Sequence, residues 1–220
     1  MPNLDTKIHL DMHRQYKERN SWYRRLRRAA REITSPRTIY GMEWGDPETV
    51  RPLGFIRDRY VLPYVNPMHT AAEIGPGGGR WTRYLIPFQQ LYLIDYHGEL
   101  LQEARRNFNR PNITFIKNNG CDFPGIQDSA LDFVFSFGCF VHLDADLITR
   151  YLTEIRRVLK HGGNAVIHYS DQNKIMAQVN PGFSKNTPEQ MRAMVRTAGF
   201  VILEEDLTTM WHSGIIRFTR

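Results

Sequence analysis

Residues 71–80 read AAEIGPGGGR, a short apolar run that gives way to four glycines and a proline. Glycine takes positive φ without strain and leaves the main chain bare, so such a run at the end of a strand marks a tight turn that something packs against closely. Four more apolar runs follow: LYLID (91–95), ITFI (113–116), LDFVFSF (131–137) and NAVIHYS (164–170). They lack polar alternation, as expected of strands covered on both faces. Helical patterns lie among them at RWTRYLI (80–86), GELLQEARRNF (98–108) and DADLITRYLTEIRRVLK (144–160), the last stopping at His161-Gly162-Gly163 with basic residues in its final turn. This alternation predicts a parallel sheet wound with right-handed crossovers. After a further helix, TPEQMRAMVRTAG (187–199), the runs VILEEDL (201–207) and SGIIRFTR (213–220) stand at hairpin spacing. The predicted fold is a doubly wound α/β sheet of seven mostly parallel strands with a C-terminal antiparallel hairpin. A helical pattern near 48–65, punctuated by Pro47, Pro52 and Pro63, leads into the first strand.

The chain has 220 residues, 41% of them apolar and 12% aromatic, which is ample for one core with an appendage. Its net charge of +6 is unevenly placed. Residues 1–40 hold 10 Lys or Arg against 4 Asp or Glu, while the rest balances at 19 of each. Within this basic part, Trp22, Leu26, Ala29, Ala30 and Ile33 fall on one face of an amphipathic helix, its arginines outward. That face reads either as solvated surface or as a docking surface for an anionic substrate, a membrane or a partner. Nucleic acid is set aside, because the remaining residues show neither a basic, aromatic-interleaved surface nor a nucleic-acid module. The division expected is a helical arm and lid over 1–47 and a catalytic domain over 48–220. Cys121 and Cys139 suggest neither a disulfide framework nor a thiolate metal site, which fits a reducing cytoplasm. The N-terminus has no apolar core of signal-peptide length, and the longest apolar run, FVFSFGCFV, falls far short of the ~20 residues that cross a bilayer.

In a doubly wound sheet, ligands bind outside the carboxyl ends of the strands where the winding reverses, so the turn at Gly75 is the expected cofactor site. A dinucleotide fingerprint needs a third glycine where this chain has Arg80, and no Gly-Lys-Ser/Thr follows for a P-loop. Glu73, two residues before the turn, would repel a pyrophosphate and attract a cofactor carrying a sulfonium and an ammonium. At this point residues 70–170 resemble the class I S-adenosylmethionine-dependent methyltransferases, whose fold is Rossmann-like. Their first motif, E/D-x-G-x-G-x-G, is matched by Glu73, Gly75, Gly77 and Gly79, with Pro76 inside the turn. The resemblance implies that Asp95, followed by Tyr96 at the end of LYLIDY, takes the ribose hydroxyls, a carboxylate being able to accept both. NNGCDFPGI resembles the adenine loop, with Asn119 in place of the usual aspartate. Its side-chain carbonyl, with backbone groups of Gly120 and Cys121, is expected to read the adenine edge, and Asp122 keeps the second acidic position. LDFVFSFGCFVHL, with Phe137 at the end of its strand, matches the fourth motif, and EIRRVLKHGGNAVIHY resembles the segment after it.

The implied activity is methyl transfer from S-adenosylmethionine, leaving S-adenosylhomocysteine. Such an enzyme orients the acceptor, excludes water and, for a hydroxyl, removes a proton. Two histidines stand at the ends of strands 4 and 5: His142, ahead of a helix that Asp144 is placed to cap, and His168, with Asp171 three residues on. Either is a candidate base, or simply a hydrogen-bonded structural residue. These four side chains also suit a divalent cation, although no metal-motif spacing supports one. Tyr40 and Trp44, beside Glu43 and Asp46, present aromatic faces and carboxylates of the kind that bind a polyhydroxylated ring, or else a plug that seats the arm. Trp211 and His212 offer another wall. The leading expectation is an O-methyltransferase acting on a small-molecule acceptor, a sugar or an anionic metabolite. An N-methyltransferase and a non-catalytic cofactor-binding module are the alternatives, and the N/D-P-P-Y/F signature of DNA and RNA amine methylation is absent.

Overall fold

The computed structural model describes residues 39–220. The amphipathic arm helix read at Trp22–Ile33 lies outside the described residues. Contacts group Tyr40–Arg220 as one body. Residues 40–47, read as part of the arm, therefore fold with the domain.

Seven strands form a single sheet: β1 (Thr70–Ile74), β2 (Gln90–Asp95), β3 (Ile113–Lys117), β4 (Leu131–Ser136), β5 (Leu159–Ser170), β6 (Val201–Asp206) and β7 (Ser213–Thr219). Their order is β3-β2-β1-β4-β5-β7-β6. The first five run parallel, and β7 lies antiparallel between β5 and β6. Chain direction across the sheet reverses between β1 and β4, so the loops after these two strands open the crevice that binds ligands in such folds. Small side chains at Ala71 and Ala72, both fully buried, let helices on the two faces approach the central strand.

Helices are α1 (Arg51–Ile56), prolonged by a wider turn at Arg57–Val61 and a tighter one at Leu62–Tyr64, then α2 (Thr82–Leu85), α3 (Gly98–Asn107), α4 (Ala145–Val158), α5 (Ile175–Gln178) and α6 (Pro188–Thr197). On α4, Leu147, Ile148, Tyr151, Leu152, Ile155 and Val158 form the buried stripe. Its Arg157 forks onto Glu154 and Asp128 and reaches the Ile126 and Phe123 carbonyls, fixing the loop before β4. At α6 the Thr-Pro-Glu-Gln start forms a full capping box between Thr187 and Gln190, with proline in the first turn.

Two boundaries differ from expectation. α4 ends at Val158 rather than Lys160, and β5 begins at once, pairing Leu159 with Leu131. The expected stop at Gly162-Gly163 is instead an irregularity inside β5, where Gly162 takes a φ of 79° and its N–H donates to the Arg220 carbonyl. The RWTRYLI helix shrinks to one turn, because residues 75–81 are taken up by the glycine turn. Among the described residues, no helix is long and apolar enough to cross a membrane.

Candidate functional site

β1 ends at Ile74, and Gly75 enters the turn with a φ of 69°. Its N–H donates to the Ile94 carbonyl at 2.8 Å. A Cβ at this position would stand 2.6 Å from that of Cys139, so the segment after β4 is seated directly on the turn. The Pro76 carbonyl accepts from the Gly79 N–H, and a Cβ on Gly79 would fall 2.2 Å from the Phe108 ring at the end of α3. Gly77 and Gly78 lie beneath Tyr40, whose ring edge would be 3.1 Å from a Gly77 Cβ. The Tyr40 carbonyl accepts from the Gly78 N–H, and its own N–H donates to Glu103 Oε1 at 2.9 Å. The bare main chain thus serves the protein's own packing as well as leaving a cradle for a ligand.

Tyr40 meets Trp44 edge-on at 5.3 Å, and Trp44 is half exposed. The carboxylates expected to complete a sugar platform are engaged elsewhere. Glu43 Oε2 accepts from the Gly41 N–H, and Asp46 pairs with Arg83. The segment is latched further by Glu48, which takes the Tyr84 hydroxyl and pairs with Arg57.

Glu73 is fully enclosed and accepts the Thr82 hydroxyl at 2.5 Å. Burial pushes its carboxyl up to about 7, against the opposing effects of that hydrogen bond and of Arg80. Its pull on a cationic cofactor is therefore weaker than a free carboxylate's. Asp95, at the end of β2, is also buried and pushed up to about 7, while N–H groups of His97, Gly77 and Tyr96 favour its ionised form. The His97 N–H donates to Oδ1 at 2.8 Å. This buried carboxyl beside the glycine turn fits the hydroxyl pair of a ribose.

Beyond β3, Asn118 anchors the next loop: its Nδ2 donates to the Tyr151 hydroxyl and the Asp122 carbonyl, and its Oδ1 accepts from the Gly120 N–H. Asn119 Oδ1 accepts from the Cys121 N–H, while the Asn119 N–H donates to Asp122 Oδ1. Asn119 Oδ1 also takes the Cys121 thiol at 3.4 Å, so this side-chain carbonyl is occupied in shaping its own turn. Tyr96 lies alongside Gly120, with ring carbon Cδ2 3.6 Å from where a Cβ there would be.

At the far end of β4 the rings gather. Phe137 is stacked on His168 at 4.0 Å and packs on Trp81 at 4.7 Å, so it belongs to this aromatic cluster. His168 Nδ1 accepts from the Gly138 N–H at 3.1 Å, so its Nε2–H donates to Ser213 Oγ at 2.5 Å. Both nitrogens are engaged, and burial holds the ring well below its ordinary pKa, so His168 here ties β4 to β7. Asp171 is likewise turned inward: Oδ1 accepts from the Asn173 N–H and Oδ2 lies 3.5 Å from Lys174 Nζ. That ammonium clamps the β6–β7 turn through the Leu207, Met210 and Ser213 carbonyls.

His142 is placed differently. It closes a short 3-10 turn, Phe140–His142, and its Nδ1 lies 2.7 Å from the Gly182 carbonyl. A carbonyl only accepts, so Nδ1 carries the proton and the lone pair of the neutral ring is on Nε2. Phe183 stands edge-on to His142 at 5.6 Å and to His212 at 5.1 Å. Asp144 occupies the N-cap position of α4, but its side chain makes no capping hydrogen bond. Trp211 is 78% exposed, outside the enclosed part of the cluster. Among the described residues, no group of three or more His, Cys, Asp or Glu is arranged to hold a metal ion, so the four-residue cation set considered from sequence is not assembled. Gly182 and Phe183 could not be read from sequence, since the 40 residues between His142 and Gly182 escape any spacing rule, and Arg80 was readable only as a missing glycine.

Residues 71–163 match a family described as a methyltransferase domain. Solved structures share the fold. An S-adenosylmethionine-dependent methyltransferase from Mesorhizobium loti aligns with a TM-score of 0.67 at 13% identity, over 79% of this chain and 100% of that one. The methyltransferase bound to the Trm112 activator in a Haloferax volcanii complex aligns at 0.65 and 20% identity, over 81% and 91%. An S-adenosylmethionine-dependent enzyme from Aquifex aeolicus aligns at 0.61 and 17%, over 86% and 96%. A search of curated proteins gives no significant match. Residues 71–163 are thus similar to a methyltransferase domain, and the solved structures share the fold of the described residues.

Proposed function

We propose that the protein is an O-methyltransferase acting on a hydroxyl of a small polar metabolite, with His142 as general base. The carrying observation is the hydrogen bond from His142 Nδ1–H to the Gly182 carbonyl, which fixes the ring's tautomer and aims its basic nitrogen away from that carbonyl. His168, sealed in the core where burial holds its ring well below the ordinary pKa, is the weaker candidate for a base. When bound, S-adenosylmethionine supplies an electrophilic methyl group on a sulfonium sulfur. Asp95 would hold the ribose hydroxyls and the Asn119–Asp122 turn the adenine edge, with the glycine turn beneath. Tyr40, Trp44 and Phe183 would shed water from the acceptor, and His142 Nε2 would receive the hydroxyl proton as the methyl group is transferred. Because the Glu43 and Asp46 carboxylates are engaged, a sugar is one acceptor among hydroxylated metabolites rather than the favoured one.

The test uses labelled S-adenosylmethionine with pooled metabolite extracts, followed by mass analysis of the product. His142→Ala should lower turnover on the order of a hundredfold or more while leaving S-adenosylhomocysteine affinity within about twofold. Unchanged turnover, or label found on nitrogen, would remove the reading.

A further inference from the structure

Arg80 takes the position where a dinucleotide fold has its third glycine, and its side chain is 92% enclosed, at 8% exposure. A guanidinium carries five N–H donors. Arg80 spends one of them on protein, from Nη1 to the Gly45 carbonyl at 3.3 Å, and among the described residues it has no ion pair. The acids whose fields reach it are all engaged by other groups: Glu43 by the Gly41 N–H, Glu73 by Thr82, Asp46 by Arg83. Burial outweighs those fields and holds the guanidinium down to about 10, and Arg83 adds repulsion. The guanidinium also lies over the Trp81 and Phe137 rings, yet ring faces and one carbonyl do not neutralise an enclosed cation, and folds keep one where a ligand supplies the missing charge.

The donors point somewhere definite. None of the Arg80 nitrogens is among the sealed polar atoms that lack a partner, so the remaining N–H groups reach an opening. The guanidinium carbon lies 5.5 Å from the Phe137 ring centre, and Nη2 lies 3.8 Å from where a Gly138 Cβ would stand. Arg80 therefore spans from Gly45, in the segment over the glycine turn, to Phe137 and Gly138 at the end of β4. The adjoining rings carry two more orphaned polar atoms, Trp81 Nε1 and His212 Nδ1. We infer that Arg80 is the recognition residue for a carboxylate on the acceptor, which makes the substrate a hydroxylated carboxylic acid rather than a neutral sugar. This rests on the small-molecule reading above and narrows it. A planar fork with free N–H pairs matches a carboxylate in bidentate fashion. The methionyl carboxylate of the cofactor is the other source of the same chemistry, and the experiment separates the two.

Wild-type and Arg80→Gln proteins are incubated with labelled S-adenosylmethionine and a pooled metabolite extract, and with two probe pairs: glucuronate with glucuronamide, and 4-hydroxybenzoate with 4-hydroxybenzamide. Labelled products are resolved by anion exchange, and S-adenosylhomocysteine affinity is measured by calorimetry. The expected result is a wild-type product retained on the exchanger. Arg80→Gln should lower its formation on the order of a hundredfold while S-adenosylhomocysteine affinity stays within about twofold, which also shows that the variant is folded. Arg80→Lys, which keeps the charge without the fork, should fall between. Three results overturn the assignment: a wild-type product found only in the neutral fraction, an equal loss of charged and neutral products in Arg80→Gln, or a tenfold loss of S-adenosylhomocysteine affinity. A neutral product defeats this inference alone, whereas no label in any small-molecule fraction defeats the parent reading with it.

Discussion

Gly79 does its work inside the fold. Its φ of 101° is disfavoured for other residues, and the Phe108 ring occupies the place of a side chain. Gly79→Ala should therefore destabilise the protein by about 1–3 kcal/mol, the range expected when a methyl group is forced into a packed contact. Urea unfolding checks this, and Phe108→Leu in the same chain should recover part of the loss. If Gly79→Ala unfolds at the wild-type midpoint, the close approach of α3 to the turn is not a constraint. The sequence motif marks Gly79 and Gly75 alike, yet it is silent about what each meets, because Cys139 and Phe108 lie far along the chain. Asp95 stands out in the sequence through resemblance to a motif, and what the structure adds is its burial at the end of β2. Arg80 does not stand out in this way, since its enclosure and its lack of an ion pair among the described residues show only in three-dimensional neighbours.

Elements were readable where local chemistry and burial agree. The capping box at Thr187, the α4 stripe and the apolar central strands each announce themselves within a few residues. α2 and the start of β5 did not, since the glycine turn displaces one and pairing with Leu131 recruits the other, both tertiary effects that override local pattern. The segment over the glycine turn belongs to the same class. It is tied down by Asp46–Arg83, Glu48–Arg57 and the Tyr84 hydroxyl on Glu48, contacts between loop and helices that no periodicity encodes. Such partly exposed pairs contribute little to global stability. Arg83→Ala should therefore leave the unfolding midpoint almost unchanged while amide hydrogen exchange at Val50 and Thr49, whose N–H groups bond to the Asp46 carbonyl, speeds up. Exchange at the wild-type rate would mean that the ion pair does not hold the segment.

At the scale of the whole molecule, β1 and β2 carry two buried carboxyls, Glu73 and Asp95, towards the glycine turn, and stability against pH reports their burial. Both are pushed up to about 7 by burial, whereas in the unfolded chain they ionise near 4. The fold favours their neutral forms, so the stability they contribute is fully present below about pH 4 and is lost as pH rises through about 7. His168 and His212 act in the opposite sense. Burial lowers both, with Lys174 repelling each and His212, Arg80 and His142 adding to the effect on His168, so the fold gains from them as pH rises towards 6.5. A wild-type profile mixes the two slopes, but a difference against Asp95→Asn cancels the histidines. The asparagine variant should gain on the wild type between about pH 4 and 7, by on the order of a few kcal/mol, and then run parallel above pH 7. Loss of the Asp95 charge also relieves Glu73, which reinforces the same sign. Urea unfolding of both proteins at pH 5, 6, 7 and 8 measures the difference. Parallel profiles across that range, or a wild type that gains on the variant, would show that Asp95 is ionised in the ligand-free fold. Calorimetry with S-adenosylhomocysteine completes the argument: if ribose hydroxyls favour the carboxylate, binding at pH 6 should release a proton that binding at pH 8 does not, and the variant should show neither the proton nor the full affinity.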